Sequence, residues 1–139
     1  MNYRFAAADD APLLAAMNQR LIRDEGHRNS MSIPELESRM RTWLANEYQA
    51  VLFEDDGGAA GYALFKPEAE WVYLRQFFVQ PERRRSGIGT AAMTWLLANV
   101  WKKSSRIRLE VLIGNTEGID FWHSLGFVDY CLTMEREIN

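Results

Sequence analysis

Residues 77–92 read FFVQPERRRSGIGTAA: an apolar strand ending runs into a proline, three consecutive arginines and two closely spaced glycines. Pro81 fixes its own φ and stops the strand, while Gly87 and Gly89 remove two Cβ atoms where a helical pattern begins. The first amides of a helix have no carbonyl partner within it and lie at the positive end of its dipole, so this turn is a candidate anion site. Arg83, Arg84 and Arg85 add positive charge beside it. A solvated basic turn opening an ordinary helix has the same local composition, so the flanking sequence has to separate the two readings.

GIGTAA (87–92) fits G-x-G-x-x-A, and Glu110 follows about 20 residues later, as in a dinucleotide fingerprint. In that fold the first glycine directly follows the strand. Here Pro81 and the arginines separate Val79 from Gly87, and too little chain follows Glu110 for a doubly wound sheet. A Walker-type loop also fails, because no Gly-Lys-Ser/Thr follows.

Working outward, 70–79 is the longest and most aromatic strand pattern, preceded by strands over 48–54 and 59–67 that the turn DDGG (55–58) joins as a hairpin. Residues 2–8 read as a short first strand. Leu13, Leu14, Met17, Leu21 and Ile22 recur at helical spacing over 11–25, with Asp9 or Asp10 as cap and Pro12 in the first turn. Gly26 ends that helix, and Ser32 with Glu35 forms a capping-box pattern for a second one reaching about residue 46. Beyond the glycine turn, Ile88, Ala92, Leu96 and Val100 mark one face of a helix to about residue 103. A strand over 106–113, a short helix over 116–125 closed by Gly126, and one last strand region (or two short strands) over 127–137 complete the chain. The order is mixed α/β, in one domain spanning 1–139.

With 139 residues, 47% hydrophobic and 25% charged, the chain suits a single packed core. No apolar run approaches the roughly 20 residues of a membrane span, and no basic stretch followed by an apolar core marks a secretory signal. The single Cys131 excludes an internal disulfide and points to a reducing, cytoplasmic setting; with only two His, no metal site is expected. The net charge of -3 argues against a general nucleic-acid binder. Its distribution is uneven: residues 1–70 hold 7 Lys/Arg against 12 Asp/Glu, and residues 71–139 hold 9 against 7. The second half suits an anion, and the first a cationic substrate.

The glycine turn resembles the acetyl-coenzyme A signature of the GNAT superfamily of N-acetyltransferases, a strand ending V-x-P followed by Arg/Gln-x-x-Gly-x-Gly/Ala. Here these are Val79, Pro81, Arg84, Gly87 and Gly89. A second block, EVLIGNTEGIDFWHSLGF (110–127), resembles the family's V-x-x-x-N-x-x-A-x-x-F-Y-x-x-x-G-F through Val111, Asn115, Phe121, Gly126 and Phe127. The resemblance implies a single-domain GNAT fold, a mixed central sheet splayed between its fourth and fifth strands and flanked by helices. It implies that main-chain amides of Arg84, Arg85, Ser86, Gly87, Ile88, Gly89 and Thr90 cradle the pyrophosphate of acetyl-CoA, the acyl-donor co-substrate. The pantetheine arm would pair with Phe77, Phe78 and Val79, and an N–H near Phe78 or Val79 would polarise the thioester. Asn115 would bond that arm, cap the helix from 116, or do both. The implied activity is transfer of acetyl to a primary amine by direct attack, the acceptor being a small molecule or a protein amine. A second copy of the chain is a candidate partner, since homodimers are common in the superfamily. The alternative from another class is a coenzyme A-binding sensor or interaction module with little or no catalysis.

Two positions depart from the family pattern. Trp122 stands where many members carry a tyrosine as acid to the leaving thiolate, with Tyr73 and Tyr130 as candidate replacements. Gln76 stands where many carry a glutamate; it is no base, but it can orient water or substrate. Strand alternation puts Gln76 on the side of Leu74 and Phe78, and a satisfied polar group in the sheet is the plainer reading. The loop between the first two helices, part of the acceptor pocket by resemblance, offers Glu25 and His27 as a base pair and Asp24 or Glu25 to hold a cationic amine. An exposed polar helix end would look the same. Glu110 is a further candidate, and Trp71, Tyr73, Phe77, Phe78 and Trp122 could line an acceptor slot, although core packing alone accounts for most such aromatics.

Overall fold

In the computed structural model, which describes residues 1–139, Asn2–Phe5 (β1), Gln49–Asp55 (β2), Gly58–Pro67 (β3), Trp71–Val79 (β4) and Arg106–Arg108 (β5) form one sheet in chain order. The first four pair antiparallel, and β5 lies parallel to β4. Helices Ala11–Glu25 (α1) and Ile33–Ala45 (α2) cover one face; Ile88–Asn99 (α3) and Thr116–Ser124 (α4) cover the other. Leu14, Met17 and Leu21 of α1 pack with Met40 of α2 on Leu52, Tyr62, Leu64 and Phe78. On the far side Ala92, Met93 and Leu96 of α3 pack on Phe53, Phe65, Val72 and Leu74. Each middle strand therefore supplies both layers by alternation, which a bulge interrupts at Ala60 in β3 and at Arg75 in β4. No helix is long and apolar enough to cross a membrane.

The local signals act as their chemistry requires. Ser32 Oγ accepts from the Glu35 amide (3.3 Å) and Glu35 accepts from the Ser32 amide (2.9 Å), closing the capping box of α2. Gly26 ends α1 at φ +71°, and Gly126 follows α4 at φ +91°, both left-handed positions that favour glycine. Asp10 precedes α1 but gives it no side-chain cap bond: residues 8–10 wind into a short 3-10 turn, and its carboxylate takes the Ala7 amide at the start of that turn (2.8 Å) and the Arg4 guanidinium (2.8 Å) instead. That turn is why the first strand stops at Phe5.

Alternation breaks at one point in β4. Leu64 pairs with Gln76, yet the next residue of β3, Phe65, pairs with Leu74, so Arg75 is an extra residue. The bulge shifts the phase of the strand. Leu74 packs on the α3 side, whereas Phe78 packs on the α1 and α2 side, and Gln76 follows Phe78. Gln76 thus does not share a face with Leu74.

The sheet opens beside this bulge. β5 pairs with β4 only from Trp71 to Tyr73, and residues 74–79 of β4 continue without it, which is the expected splay between the fourth and fifth strands. The strand anticipated over 106–113 is correspondingly short: past Arg108 the chain has left its only neighbour, and it turns into α4 with Asn115 N–H donating to Leu112 O (2.9 Å). The last strand does not form. Val128, Tyr130, Leu132 and Met134 alternate as a strand would but are 70–83% exposed, and the segment pairs neither with the open edge of β4 nor with β5. The helix expected to about residue 103 ends at Asn99, where Trp101 turns into the core with its amide on Leu96 O.

Candidate functional site

The glycine turn presents main-chain donors. Gly87 stands before α3 at φ +80°, and Arg85 has φ +65°, an uncommon conformation for a residue with a side chain. The first main-chain bond of the helix runs from the Ala91 amide to Gly87 O (2.9 Å), and the amides of residues 85–90 have no partner among the turn, cap and side-chain hydrogen bonds. Free amides at the positive end of a helix dipole suit an anion such as a diphosphate. The arginines divide their labour. Arg83 pairs with Asp55, while Arg84 donates to Val79 O (2.8 Å) and to Asp24 (2.8 Å), lashing the turn to β4 and α1. Asp24 is thereby committed. Gly89 serves packing: a Cβ there would lie 3.1 Å from Phe121 Cζ, and Phe121 stacks on Phe77 at 6.1 Å.

Strand geometry selects among the main-chain groups of β4. The Gln80 amide donates to Ala60 O of β3 (2.8 Å). Successive residues of a strand point their amides to opposite sides, so Phe78 also faces β3, whereas Phe77 and Val79 face the gap that β5 vacates. Phe78, expected with them, is core, its side chain buried over α1. Across the gap, Asn115 accepts from the Gly118 amide (3.0 Å) as the cap of α4.

A cavity of about 260 Å³ opens between α1, α2, β4 and the chain after β5. It brings together Glu25, His27, Gln76, Phe77, Tyr73, Glu110 and Trp122 from the sequence expectations, and adds Asn18 and Arg39. His27 Nε2 lies 2.8 Å from Glu25 Oε1, and the Tyr73 hydroxyl donates to Glu110 at 2.7 Å. Burial, with that carboxylate second, pushes the Tyr73 hydroxyl up to about 12. The buried Tyr62 hydroxyl, its pKa raised well above the ordinary value by desolvation, donates to Gln76 Oε1 (2.7 Å), so Gln76 is both a satisfied polar group and a cavity wall. Trp122 packs edge-on against Phe77 (5.2 Å) and Phe127 (5.2 Å). Glu25 also borders a second, wholly polar hollow of about 370 Å³ that includes Asp24 and Asn115. Trp71 and Tyr130 lie outside the cavity; both contact the Arg108 guanidinium, at 4.2 and 4.9 Å.

Asn18 and Arg39 were not singled out from sequence. Asn18 left a trace, since it is a polar residue on the buried stripe of Leu14, Met17 and Leu21, and it is fully buried. Arg39 left none, being one charge among several on an amphipathic helix.

A family model described as the acetyltransferase (GNAT) family matches residues 15–127. No curated protein sequence matches the chain. Among solved structures, a mutant protein from Bacillus halodurans superposes with a TM-score of 0.83 at 22% identity, covering 100% of both chains. A predicted acetyltransferase from Clostridium acetobutylicum, crystallised with acetyl-CoA, gives 0.77 at 22% identity over 98% of this chain and 95% of that one. An aminoglycoside N-acetyltransferase in complex with CoA gives 0.75 at 17% identity over 98% and 93%.

Proposed function

The chain belongs to the GNAT family of acetyltransferases, and on that premise we propose that it transfers acetyl from acetyl-CoA to a primary amine by direct attack. The observation that carries this reading is adjacency: the cavity holding the His27–Glu25 pair is walled by Phe77, whose amide faces the opened edge of β4. Acetyl-CoA supplies the acyl group as a thioester. The amides of residues 85–90 bind its diphosphate, and the edge at Phe77 and Val79 receives the pantetheine arm. The Val79 amide, directed into the gap, donates to the thioester oxygen as negative charge develops there. Asn115 caps α4 with Oδ1 and has its Nδ2 left for the arm.

An alkyl ammonium has a pKa near 10.4 and must lose a proton before it attacks. His27, held by Glu25, takes that proton directly or through one water. Nitrogen bonds to the acyl carbon, the carbon–sulfur bond breaks, sulfur leaves as a thiolate, and the acylated nitrogen gives up its second proton to water. A thiol of pKa about 8.5 leaves without a strong acid, so water can protonate it. That accommodates Trp122, which has no proton to give. Tyr73, at about 12, acts as a hydrogen-bond donor and not as the acid. Gln76, fixed by Tyr62, orients the acceptor or its water.

Thermal melting with acetyl-CoA, free CoA and NAD at equal concentrations tests the coenzyme end. A rise with both CoA species and none with NAD is expected; a rise with NAD alone would mean that the glycine turn serves another ligand. Release of CoA on an amine panel then tests transfer. Binding without release above background on every amine would favour the sensor reading.

A further inference from the structure

The cavity has a cationic end that transfer to a simple amine leaves unexplained. Arg39 of α2 donates through Nη2 to Asn18 Oδ1 of α1 (3.1 Å), but its Nε and the Nδ2 of Asn18 are both buried with no acceptor. Both atoms are covered by protein, and leaving them without acceptors is costly. Arg75, the extra residue of the β4 bulge, adds a second guanidinium: it and Arg39 both stack on the Trp43 ring, at 4.6 and 4.4 Å, and Arg75 also donates to the Tyr48 hydroxyl (3.3 Å). Neither has a carboxylate within ion-pair distance, and both line the cavity. Burial first, and then the Arg75 charge, lower the Arg39 pKa, as expected of a cation without a counterion. The same cavity is lined by Glu25, 2.8 Å from His27, and by Glu110, which accepts from the Tyr73 hydroxyl. Its lining therefore carries both signs of charge.

Resting on the amine-transfer reading above, we propose that the acceptor is an amine that also carries a carboxylate, an amino acid or a similar aminocarboxylate. Its carboxylate accepts from the Arg39 guanidinium with the Arg75 charge nearby, and its amine lies toward Glu25 and His27. A planar two-oxygen anion matches the planar fork of a guanidinium, and a cavity of about 260 Å³ suits a small molecule. The acidic balance of the first half of the chain gives no sign of this, because Arg39 is outvoted in any count of charge.

The test is CoA release from acetyl-CoA on matched sets: amino acids, their carboxamides, the corresponding decarboxylated amines, and an aminoalkyl phosphate. Amino acids are expected to exceed their carboxamides by about 10- to 100-fold in kcat/KM. Arg39→Met should erase that preference while the melting shift given by acetyl-CoA is retained, and Arg39→Lys should restore part of it. Arg75→Met, at an exposed position, should lower the preference by less. Equal or better turnover of carboxamides or decarboxylated amines would overturn the proposal and leave amine transfer standing; so would a preference for the phosphate. Should no amine be turned over, melting with CoA plus each amino acid decides separately. A further rise that Arg39→Met abolishes would support the carboxylate site while transfer itself failed, and no further rise would overturn the site as well.

Discussion

The two ends of the site are built from different parts of the chain. At the end proposed for the coenzyme, the groups offered are main-chain amides, placed by a left-handed Gly87, the start of α3 and the free edge of β4. At the end proposed for the acceptor they are side chains from α1, α2, β4 and the segment after β5: Arg39, Gln76 and Glu110 have partners distant in sequence, and His27 is held by Glu25 two residues before it. A main-chain site is specified by where a glycine or proline must stand. A side-chain site is specified by what packs on what. The first tolerates almost any side chains, and the second depends on them.

The sharpest way to break this division is a change at the acceptor end that also weakens the coenzyme. His27→Gln is expected to lower kcat/KM at least 100-fold, within the usual range for removing a general base, while acetyl-CoA affinity measured by calorimetry stays the same. Loss of affinity would mean that the two ends are one site. Next, Gly87→Val forces a β-branched residue to φ +80°, a strain of about 1–2 kcal/mol, and should weaken acetyl-CoA about tenfold or more. Unchanged affinity would remove the turn from the coenzyme site.

This division also explains what the sequence disclosed. The glycine turn and the hairpin at 55–58 were legible because φ angles restrict residue choice locally. The family resemblance supplied the splay, and the paired strands bear it out. The phase of Gln76 was not legible, since nothing in EWVYLRQFFV marks Arg75 as the extra residue; only the pairing with β3 does. The final strand is illegible for a related reason: alternation in 127–137 shows which residues would share a face, not whether the segment docks on an edge. Arg39 and Asn18 meet across 21 residues, a contact that no spacing rule encodes.

Smaller effects sharpen the picture of the acceptor wall. Gln76→Leu strands the buried Tyr62 hydroxyl and should cost about 1–3 kcal/mol in denaturant unfolding. Combining it with Tyr62→Phe should recover most of that, and a double variant no better than the single one would show that the bond is not what Gln76 contributes to stability. The smallest effect lies remote from both ends. Its bond to Arg4 holds the Asp10 carboxyl below its usual pKa. A depressed folded-state pKa stabilises at pH above the unfolded value and is lost as pH falls through the folded one. Asp10→Asn should therefore cost about 1 kcal/mol or less at neutral pH, a difference that shrinks in urea titrations below about pH 4. A gap that widened in acid would contradict the sign.

The bulge at Arg75 has a consequence for heredity. Leu64 pairs with Gln76 and Phe65 with Leu74, so β4 is a regular strand into which one residue has been admitted. Loss of that single codon would join Leu74 to Gln76, leave both partnered as they are, and keep residues 76–79 on their present faces. A one-residue deletion that would invert an unbulged strand would here remove little beyond the Arg75 guanidinium from the cavity wall.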